Sequence, residues 1–357
     1  MEVSVQPLGE RFAAVPGDNL LKALTDRQIP ISYSCLSGRC GTCRCKVVSG
    51  DVQEAGGYEY RHNAGADAAD EAGTDARYVL ACQATVHGDC EIELPEVDEV
   101  VVHPAKILKA TVLAIEPLTH DIQRLVLKPA KPLSFSPGQY ATLQFTPDHV
   151  RPYSMAGIDG DDTLEFHIRR VPGGAVTGYV AEQLKVGDAV RVSGPLGTSY
   201  LRTRHEGPML CVAGGTGLAP VLSIVRGAIA RGMTNPIEIY VGARSPSDVY
   251  GLAWLRELAA RHDGMLRLHV VTTSGETGGA EAGADTPAAS GNGGPSIRLG
   301  HVTDAVAADF AGADALAGWR AYLCGAPPMV DAATALLRAR GIDASHIYAD
   351  AFYAKVA

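Results

Sequence analysis

The sequence predicts a multidomain α+β and α/β protein: a small mixed N-terminal domain, then an antiparallel β-barrel, then a doubly wound α/β domain. Three observations support this order. The first hundred residues alternate short strand-like runs with one helical segment. Residues 105–205 hold alternating apolar runs between turns rich in Pro and Gly, which is typical of a small barrel. From Gly207 the pattern becomes strand–helix–strand, which indicates a parallel sheet.

A chain of 357 residues is too long for one compact core, so two or three domains are expected. We predict four segments: an N-terminal domain (1–96), a linker (97–104), the barrel (105–205) and the α/β domain (206–357). Residues 55–76 and 274–295 contain few bulky side chains, and we interpret both as inserted loops.

In the N-terminal domain the pattern predicts a helix over Asn19–Arg27, with Asp18 as its N-cap. Strands are expected at Glu2–Pro7, Phe12–Val15, Lys46–Ser49, Val79–Thr85 and Cys90–Leu94. In the barrel we expect strands at Ile107–Ile115, Ile122–Leu127 and Thr163–Val171 and a helix at Val176–Leu184. In the α/β domain we expect strands at Met209–Ala213 and Ile237–Gly242 and helices at Ala219–Arg231 and Met329–Arg340.

Composition and charge exclude some classes of protein. No apolar run reaches the length of about 18 to 20 residues that a membrane span needs, and Met1–Gln6 lacks the basic start of a signal peptide. We therefore expect a soluble, cytoplasmic protein. The first hundred residues hold 8 Lys and Arg against 17 Asp and Glu, which argues against nucleic-acid binding.

Four of the eight cysteines lie within eleven residues. The spacing Cys35-x4-Cys40-x2-Cys43, with Cys82 after a gap, matches the plant-type [2Fe–2S] ligand pattern. Two irons bridged by sulfide need four thiolates, and small residues between the ligands let the loop backbone wrap closely around them. A structural zinc site is the alternative, but it is usually built from two C-x2-C pairs and only one is present. Cys45 is a rival ligand by proximity, although its spacing favours a packed strand thiol.

A second motif suggests a flavin nucleotide. In Arg151-Pro152-Tyr153-Ser154 the arginine can bind a phosphate, the tyrosine can stack on a planar ring and the serine can hydrogen-bond a ring nitrogen. Twenty residues later, Gly173, Gly174 and Thr177 open a helix whose N-terminal amides can hold an anion.

A third motif suggests a dinucleotide. The loop Gly214-Gly215-Thr216-Gly217 joins a strand to a helix, with Pro220 where the Rossmann fingerprint has its third glycine.

Near the C-terminus, Cys324 and Gly325 end another strand, where ligands of such sheets bind. Two interpretations of Cys324 remain open: its side chain faces the nicotinamide, or it is a small core residue. Arg244 and Ser245 follow the second strand, where no acidic residue stands to hold a ribose 2′-hydroxyl. Arg244 is either tolerant of a 2′-phosphate or a solvated surface residue.

Together these segments resemble the reductase component of bacterial aromatic-ring dioxygenases, most closely the naphthalene dioxygenase type. The resemblance covers nearly the whole chain and depends on eight stretches. They are SYSCLSGRCGTCRC (32–45), YVLACQ (78–83), FSPGQYATLQF (135–145), RPYSMAG (151–157), SGPLGTSYL (193–201), GGTGLAPVLSIVRGA (214–228), GWRAYLCGAP (318–327) and HIYADAFY (346–353).

The resemblance implies a β-grasp ferredoxin domain, an FAD barrel and an NAD(P)-binding domain. It also implies an acceptor, a Rieske-type ferredoxin that feeds a ring-hydroxylating oxygenase. By motif position, Phe352 lies over the flavin, with Tyr353 beside it as the alternative. The motif positions implied to hold FAD are Arg151, Tyr153, Ser154, Gly173, Gly174 and Thr177.

The expected activity is hydride transfer from NADH or NADPH to FAD, then single-electron transfer through the cluster, because flavin alone handles both one and two electrons. Ser154, Cys324 and Phe352 are the expected catalytic positions. Two alternatives remain. One is a reductase of the same architecture for a two-component oxygenase or for deoxysugar biosynthesis. The other is a non-catalytic iron–sulfur redox sensor.

Overall fold

The computed structural model describes residues 1–31, 33, 36, 38, 43–54, 77–94, 99, 101, 103–275 and 297–353. The chain forms two compact units, Met1–Val102 with Tyr353–Ala357, and His103–Phe352. The insertion predicted at 55–76, and all but the first two residues of the one at 274–295, lie outside the described residues. Within the described ranges, no helix has both the length and the apolar character that crossing a membrane requires.

The first unit is a β-grasp domain. Its sheet has the order β2-β1-β5-β3-β4, in which β1 and β5 run parallel and the other neighbours are antiparallel. Alternate residues of the strands point into the core, as Val3 and Val5 do, and the helix adds Leu20 and Leu24. The elements are β1 (Glu2–Gln6), β2 (Glu10–Ala13), α1 (Leu20–Asp26), β3 (Arg44–Glu54), β4 (Arg77–Leu80) and β5 (Ala84–Glu93).

Two expectations for this unit are wrong in detail. The N-cap of α1 is Asn19, whose side-chain oxygen accepts a hydrogen bond from the Lys22 amide at 3.0 Å. Asp18 instead accepts from the Val15 amide at 2.9 Å and closes the turn before the helix. The strand predicted over Val79–Thr85 is broken by a turn at residues 81–83 between β4 and β5, which places Cys82 in that turn.

The second unit begins with a nearly closed antiparallel barrel. Its strand order is β10-β7-β6-β11-β8-β9, and a bridge between Met155 and Phe166 connects the two open edges. Fully buried side chains such as Leu125, Leu143 and Phe166 fill the interior. The elements are β6 (Lys106–Pro117), β7 (Ile122–Pro129), β8 (Tyr140–Gln144), β9 (Val150–Ser154), β10 (Leu164–Arg169), α2 (Ala175–Glu182) and β11 (Ala189–Leu196).

A parallel six-stranded sheet completes this unit, in the order β15-β14-β13-β12-β16-β17. The strand order reverses between β12 and β16, and ligands of doubly wound sheets bind at such a switch point. The elements are β12 (Met209–Gly214), α3 (Leu218–Ala230), β13 (Ile237–Ala243), α4 (Leu252–Arg261), β14 (Leu266–Thr272), β15 (Ile297–Leu299), α5 (Val302–Asp309), β16 (Arg320–Gly325), α6 (Pro327–Ala339) and β17 (Ile347–Ala351).

Buried polar contacts connect the barrel to this sheet. The hydroxyl oxygen of Ser223, on α3, accepts a hydrogen bond from the Gly138 amide at 3.1 Å. Arg202, which is 1% exposed, donates its backbone N–H to the Tyr322 hydroxyl at 2.9 Å. Because buried polar groups are costly unless they are paired, these contacts fix the barrel against the switch point of the sheet.

Candidate functional site

The end of β9 presents the first set of candidate residues. Pro152 is tolerated because β9 lies at the end of the hydrogen-bonded strand order. The Tyr153 ring meets Phe145 edge-on, with centroids 6.5 Å apart. Its hydroxyl is buried without a hydrogen-bond partner among the described residues, and burial raises the pKa of Tyr153 to about 12. A protonated, orphaned hydroxyl beside the half-buried Arg151 fits an anionic ligand that accepts hydrogen bonds, as a flavin dinucleotide does.

The turn before α2 contains the second set. Gly173 has φ +71, which favours glycine, and a Cβ on Gly174 would lie 2.6 Å from the Thr177 hydroxyl oxygen. That oxygen accepts from the Val171 amide at 3.1 Å and donates to the Gly174 carbonyl at 3.3 Å. Thr177 therefore shapes the turn, and the amides at the start of α2 are the groups left to meet a phosphate.

The loop after β12 approaches the end of β16 so closely that it requires glycine. A Cβ on Gly217 would lie 2.0 Å from the Cys324 carbonyl oxygen, and one on Gly325 would lie 3.0 Å from the Gly214 carbonyl oxygen. Gly215 has φ +57, and a Cβ there would lie 2.9 Å from the Arg169 guanidinium. With the half-buried Thr216, these residues form a narrow cradle of backbone amides at the switch point.

A buried acidic residue connects the flavin motif to the sheet. The Ser154 hydroxyl donates to Asp350 Oδ2 at 2.9 Å, and both side chains are buried. Asp350, on β17, lies opposite Cys324 in the β16–β17 register. Cys324 is fully buried, and this burial, with a smaller effect of Asp350, raises the pKa of its thiol well above the usual range.

Phe352 completes this part of the site. Its backbone N–H donates to the Gly325 carbonyl at 2.8 Å, which fixes it one residue beyond β17 at the same edge as Cys324. The structure thus brings together the regions of Ser154, Cys324 and Phe352. Asp350 lies within the stretch HIYADAFY (346–353), but the resemblance assigned it no role; its isolated charge in the strand segment Ile347–Ala351 is the signal that could have identified it.

Arg244 and Ser245 follow β13 but lie in an ion-pair network. The Arg244 guanidinium is 2.8 Å from Asp121 Oδ2 and 2.7 Å from Asp248 Oδ1. The Ser245 amide and hydroxyl both donate to Asp248. Arg244 is thus both partly exposed and paired. Asp121 belongs to the turn between β6 and β7, so no local pattern could have connected it to Arg244.

Of the four predicted cluster ligands, Cys35 and Cys40 lie outside the described residues. Cys43, which is 2% exposed, accepts a hydrogen bond at Sγ from the Cys82 amide at 3.4 Å. The Gln83 side-chain amide reaches Cys82 Sγ at the same distance. N–H groups directed at the sulfurs stabilise thiolate charge and fit an iron–sulfur cluster.

Cys45 lies in a different environment. It is 1% exposed within β3, and burial raises the pKa of its thiol to about 12. Its side chain packs in the core of the first unit, opposite Val79 in the β3–β4 register, which fits a packed strand thiol.

Three family models match the chain in the expected order. They are a 2Fe-2S iron-sulfur cluster binding domain over residues 3–87, an oxidoreductase FAD-binding domain over 109–200 and an oxidoreductase NAD-binding domain over 211–335. Each match lies within one of the predicted domains. The cofactors predicted from the motifs, FAD, one [2Fe–2S] cluster and NAD(P)H, are confirmed.

Two relatives match this chain over almost its whole length. The chain is 52% identical to the naphthalene 1,2-dioxygenase system ferredoxin–NAD(P)(+) reductase component of Pseudomonas putida, and the match covers 99% of both chains. It is 54% identical to the reductase component of naphthalene 1,2-dioxygenase/salicylate 5-hydroxylase systems of a Ralstonia species, again over 99% of both. Among solved structures, an Amycolatopsis cytochrome P-450 reductase superposes with a TM-score of 0.74 at 34% identity, covering 98% of each chain. The chain therefore belongs to the family of iron–sulfur flavoprotein ferredoxin–NAD(P)+ reductases that includes these naphthalene dioxygenase reductase components.

Proposed function

We propose that this chain oxidises NADH, and NADPH less efficiently, and passes single electrons to a Rieske-type ferredoxin that serves a ring-hydroxylating oxygenase of the naphthalene dioxygenase type. The cluster domain would comprise residues 1–96, the FAD barrel 105–205 and the nucleotide domain 206–357. One observation supports this most strongly. The hydrogen bond between Ser154 and Asp350 joins the flavin motif to the strand paired with Cys324.

The chain's own residues mainly bind the cofactors and orient them. When bound, FAD takes the nicotinamide hydride as an electron pair and releases single electrons that a [2Fe–2S] cluster can carry. Arg151 and the amides that open α2 after the Gly173–Gly174 turn are placed to hold the flavin phosphates, and Tyr153 offers a hydroxyl that is unpaired among the described residues. The cradle Gly214–Gly217 is placed to hold the dinucleotide pyrophosphate.

At the reacting end, the side chains position the reacting rings and do not transfer protons. Ser154 is oriented by Asp350, so its hydroxyl oxygen has a fixed direction. The Cys324 thiol is kept neutral by burial, and a neutral, small side chain allows a planar ring to approach closely. Phe352 is anchored through Gly325, and its ring is suited to cover the flavin until nicotinamide arrives.

The proposal is tested by separating the two half-reactions. Purified holoprotein should bleach its flavin with NADH, reduce ferricyanide, and reduce a Rieske-type ferredoxin. The variant Cys82→Ser should damage the cluster. It should still bleach the flavin and reduce ferricyanide, but should fail to reduce the ferredoxin at more than a small residual rate.

Cys45→Ser is the matched control. It removes a thiol that lies two residues from Cys43 in the sequence but, in our assignment, does not bind iron. It should retain both activities and the visible absorption of the cluster. A Cys45→Ser protein without its cluster, beside a Cys82→Ser protein that keeps it, would contradict the ligand set Cys35, Cys40, Cys43 and Cys82. Wild-type protein that does not oxidise NADH would favour the redox-sensor alternative, and failure only with Rieske-type ferredoxins would favour another oxygenase partner.

A further inference from the structure

The charged cluster at the end of β13 neutralises Arg244 before any ligand arrives. The two carboxylates that pair with it are more buried than the guanidinium, since the side chains of Asp121 and Asp248 are 16% and 5% exposed and that of Arg244 is 59% exposed. The guanidinium therefore rests on two fixed carboxylates and presents its outer edge to solvent.

The arginines and aspartates of this charged cluster balance one another. Arg169 Nε lies 3.3 Å from Asp121 Oδ2, so two arginines balance the two aspartates. The ring nitrogens of His120 lie 3.7 Å from Asp248 Oδ1 and 4.0 Å from Asp121 Oδ2. His120, Asp121 and Asp248 are close enough to bind a cation, but the Arg244 guanidinium already occupies these carboxylates.

The position of this charged cluster at the end of β13 places it near the expected nucleotide site. Gly242 pairs in register with Gly214, at the start of the glycine loop, and Arg244 lies two residues further on. In doubly wound domains, residues at the end of the second strand meet the adenosine ribose: an acidic residue binds the 2′-hydroxyl, and an arginine accommodates a 2′-phosphate. Here the arginine is present, but two carboxylates compete with a phosphate for it.

We propose that Asp121, supplied by the barrel, determines nucleotide specificity: by pairing with Arg244 it disfavours the 2′-phosphate of NADPH and so favours NADH. This inference rests on the proposed function. A 2′-phosphate must either break the Asp121–Arg244 pair or approach two carboxylates, whereas a 2′-hydroxyl does neither. Asp121 also faces Arg169, beside Gly215, so its charge affects the pyrophosphate of both nucleotides. The NADPH to NADH ratio therefore isolates the 2′ position.

The test is Asp121→Asn, which removes the charge and keeps an oxygen that can accept from the Thr119 hydroxyl, now 3.0 Å from Asp121 Oδ1. With ferricyanide as acceptor at low salt, the ratio of kcat/KM for NADPH to that for NADH should rise about three- to tenfold, as expected for one charge near a protein surface. The gain should shrink at high salt, because exposed charges are screened. Independently of turnover, binding of adenosine 2′,5′-bisphosphate should tighten relative to that of 5′-AMP.

Asp162→Asn is the matched control. It removes an aspartate from the same barrel that is 96% exposed and paired with Lys128 at 3.8 Å, and it should leave both ratios unchanged. Adding Arg244→Gln to Asp121→Asn should abolish the gain. If Asp121→Asn does not fold into a holoprotein, Asp121→Ser makes the same charge change.

An unchanged ratio in a folded Asp121 variant, an equal gain in Asp162→Asn, or a gain that persists without Arg244 would each overturn this inference. All three leave the proposed function intact, because the protein would still oxidise NADH. A wild-type protein that oxidises neither nucleotide would overturn the proposed function itself.

Discussion

The contact between Gly217 and β16 makes a sharp prediction. In Gly217→Ala, the new Cβ would lie 2.0 Å from the Cys324 carbonyl oxygen, 2.4 Å from its carbon and 3.0 Å from the Gly325 amide nitrogen. The backbone at Gly217 has φ −60, so alanine can adopt this conformation and the obstacle is purely steric. To relieve this clash, the backbone at residue 217 or at Cys324 must shift by about 1 Å, because a carbon–oxygen contact needs more than about 3 Å.

The expected penalty is at the high end for overpacking, about 3 kcal/mol, because the obstacle is backbone and no side chain can rotate away. The strand that must move, β16, is held by β12 on one side and β17 on the other. The same shift displaces Cys324, which we propose lies near the nicotinamide, and a misplacement of about 1 Å can slow a reaction by about 100-fold.

Thermal unfolding followed by flavin fluorescence, and stopped-flow reduction of the flavin by NADH, measure the two effects. We expect a lower unfolding midpoint, flavin reduction slowed by about 10- to 100-fold, and a normal cluster spectrum, since the predicted cluster ligands belong to the other compact unit. The control is Gly178→Ala on α2, where a Cβ would meet nothing within 4 Å. There, alanine should raise helix stability by about 0.5 to 1 kcal/mol. A Gly217→Ala protein with wild-type unfolding and kinetics would refute the steric reasoning.

Three further predictions concern other parts of the chain. Ser154→Ala should slow flavin reduction by NADH about tenfold, which corresponds to the loss of about 1.4 kcal/mol of orientation, and a wild-type rate would remove Ser154 from the site. Arg44 follows Cys43 directly, and its guanidinium lies 3.9 Å over the Tyr78 ring. We hypothesise that Arg44, with the basic residues Arg39 and Lys46 of the same segment, binds an acidic ferredoxin. Arg44→Glu should therefore slow ferredoxin reduction at low salt, and Arg11→Glu, 70% exposed in the same unit, should not. Burial lowers the pKa of His167 from its ordinary value of 6.5, so only the unfolded state binds this proton as the pH falls through that value. The midpoint temperature of unfolding should therefore decrease as the pH is lowered below 6.5. His167→Gln should flatten this pH dependence.

The sequence motifs predicted the chemistry well because each depends on local spacing. The cysteine pattern, the Arg-Pro-Tyr-Ser tetrapeptide and the glycine loop each lie within a short stretch, where strand, turn and helix geometry fix the outcome. The N-cap of α1 was misassigned because Asp18 and Asn19 are adjacent residues with equal capping ability. Only the turn closed by Asp18 on Val15 decides between them.

Long-range partners could not be predicted in this way. Asp350 lies 196 residues from Ser154, and Asp121 lies 123 residues from Arg244. Neither aspartate was assigned a role from the sequence, although Asp350 lies within HIYADAFY (346–353), and both pairs form only when the barrel packs against the sheet. A sequence pattern reports which groups are available, whereas the charge state and direction of those groups depend on this packing.

The same packing suits the proposed reacting end, which needs no acid–base pair. Hydride transfer moves a proton and an electron pair together, so it requires no group that removes or supplies a proton at the nicotinamide. Consistently, Ser154 directs its proton to Asp350, and burial keeps the Cys324 thiol protonated. A thiolate at Cys324 would be a nucleophile beside an electrophilic nicotinamide. In the proposed site, burial of Cys324 between β12 and β17 would therefore keep a protonated thiol, and not a nucleophile, near the oxidised nucleotide.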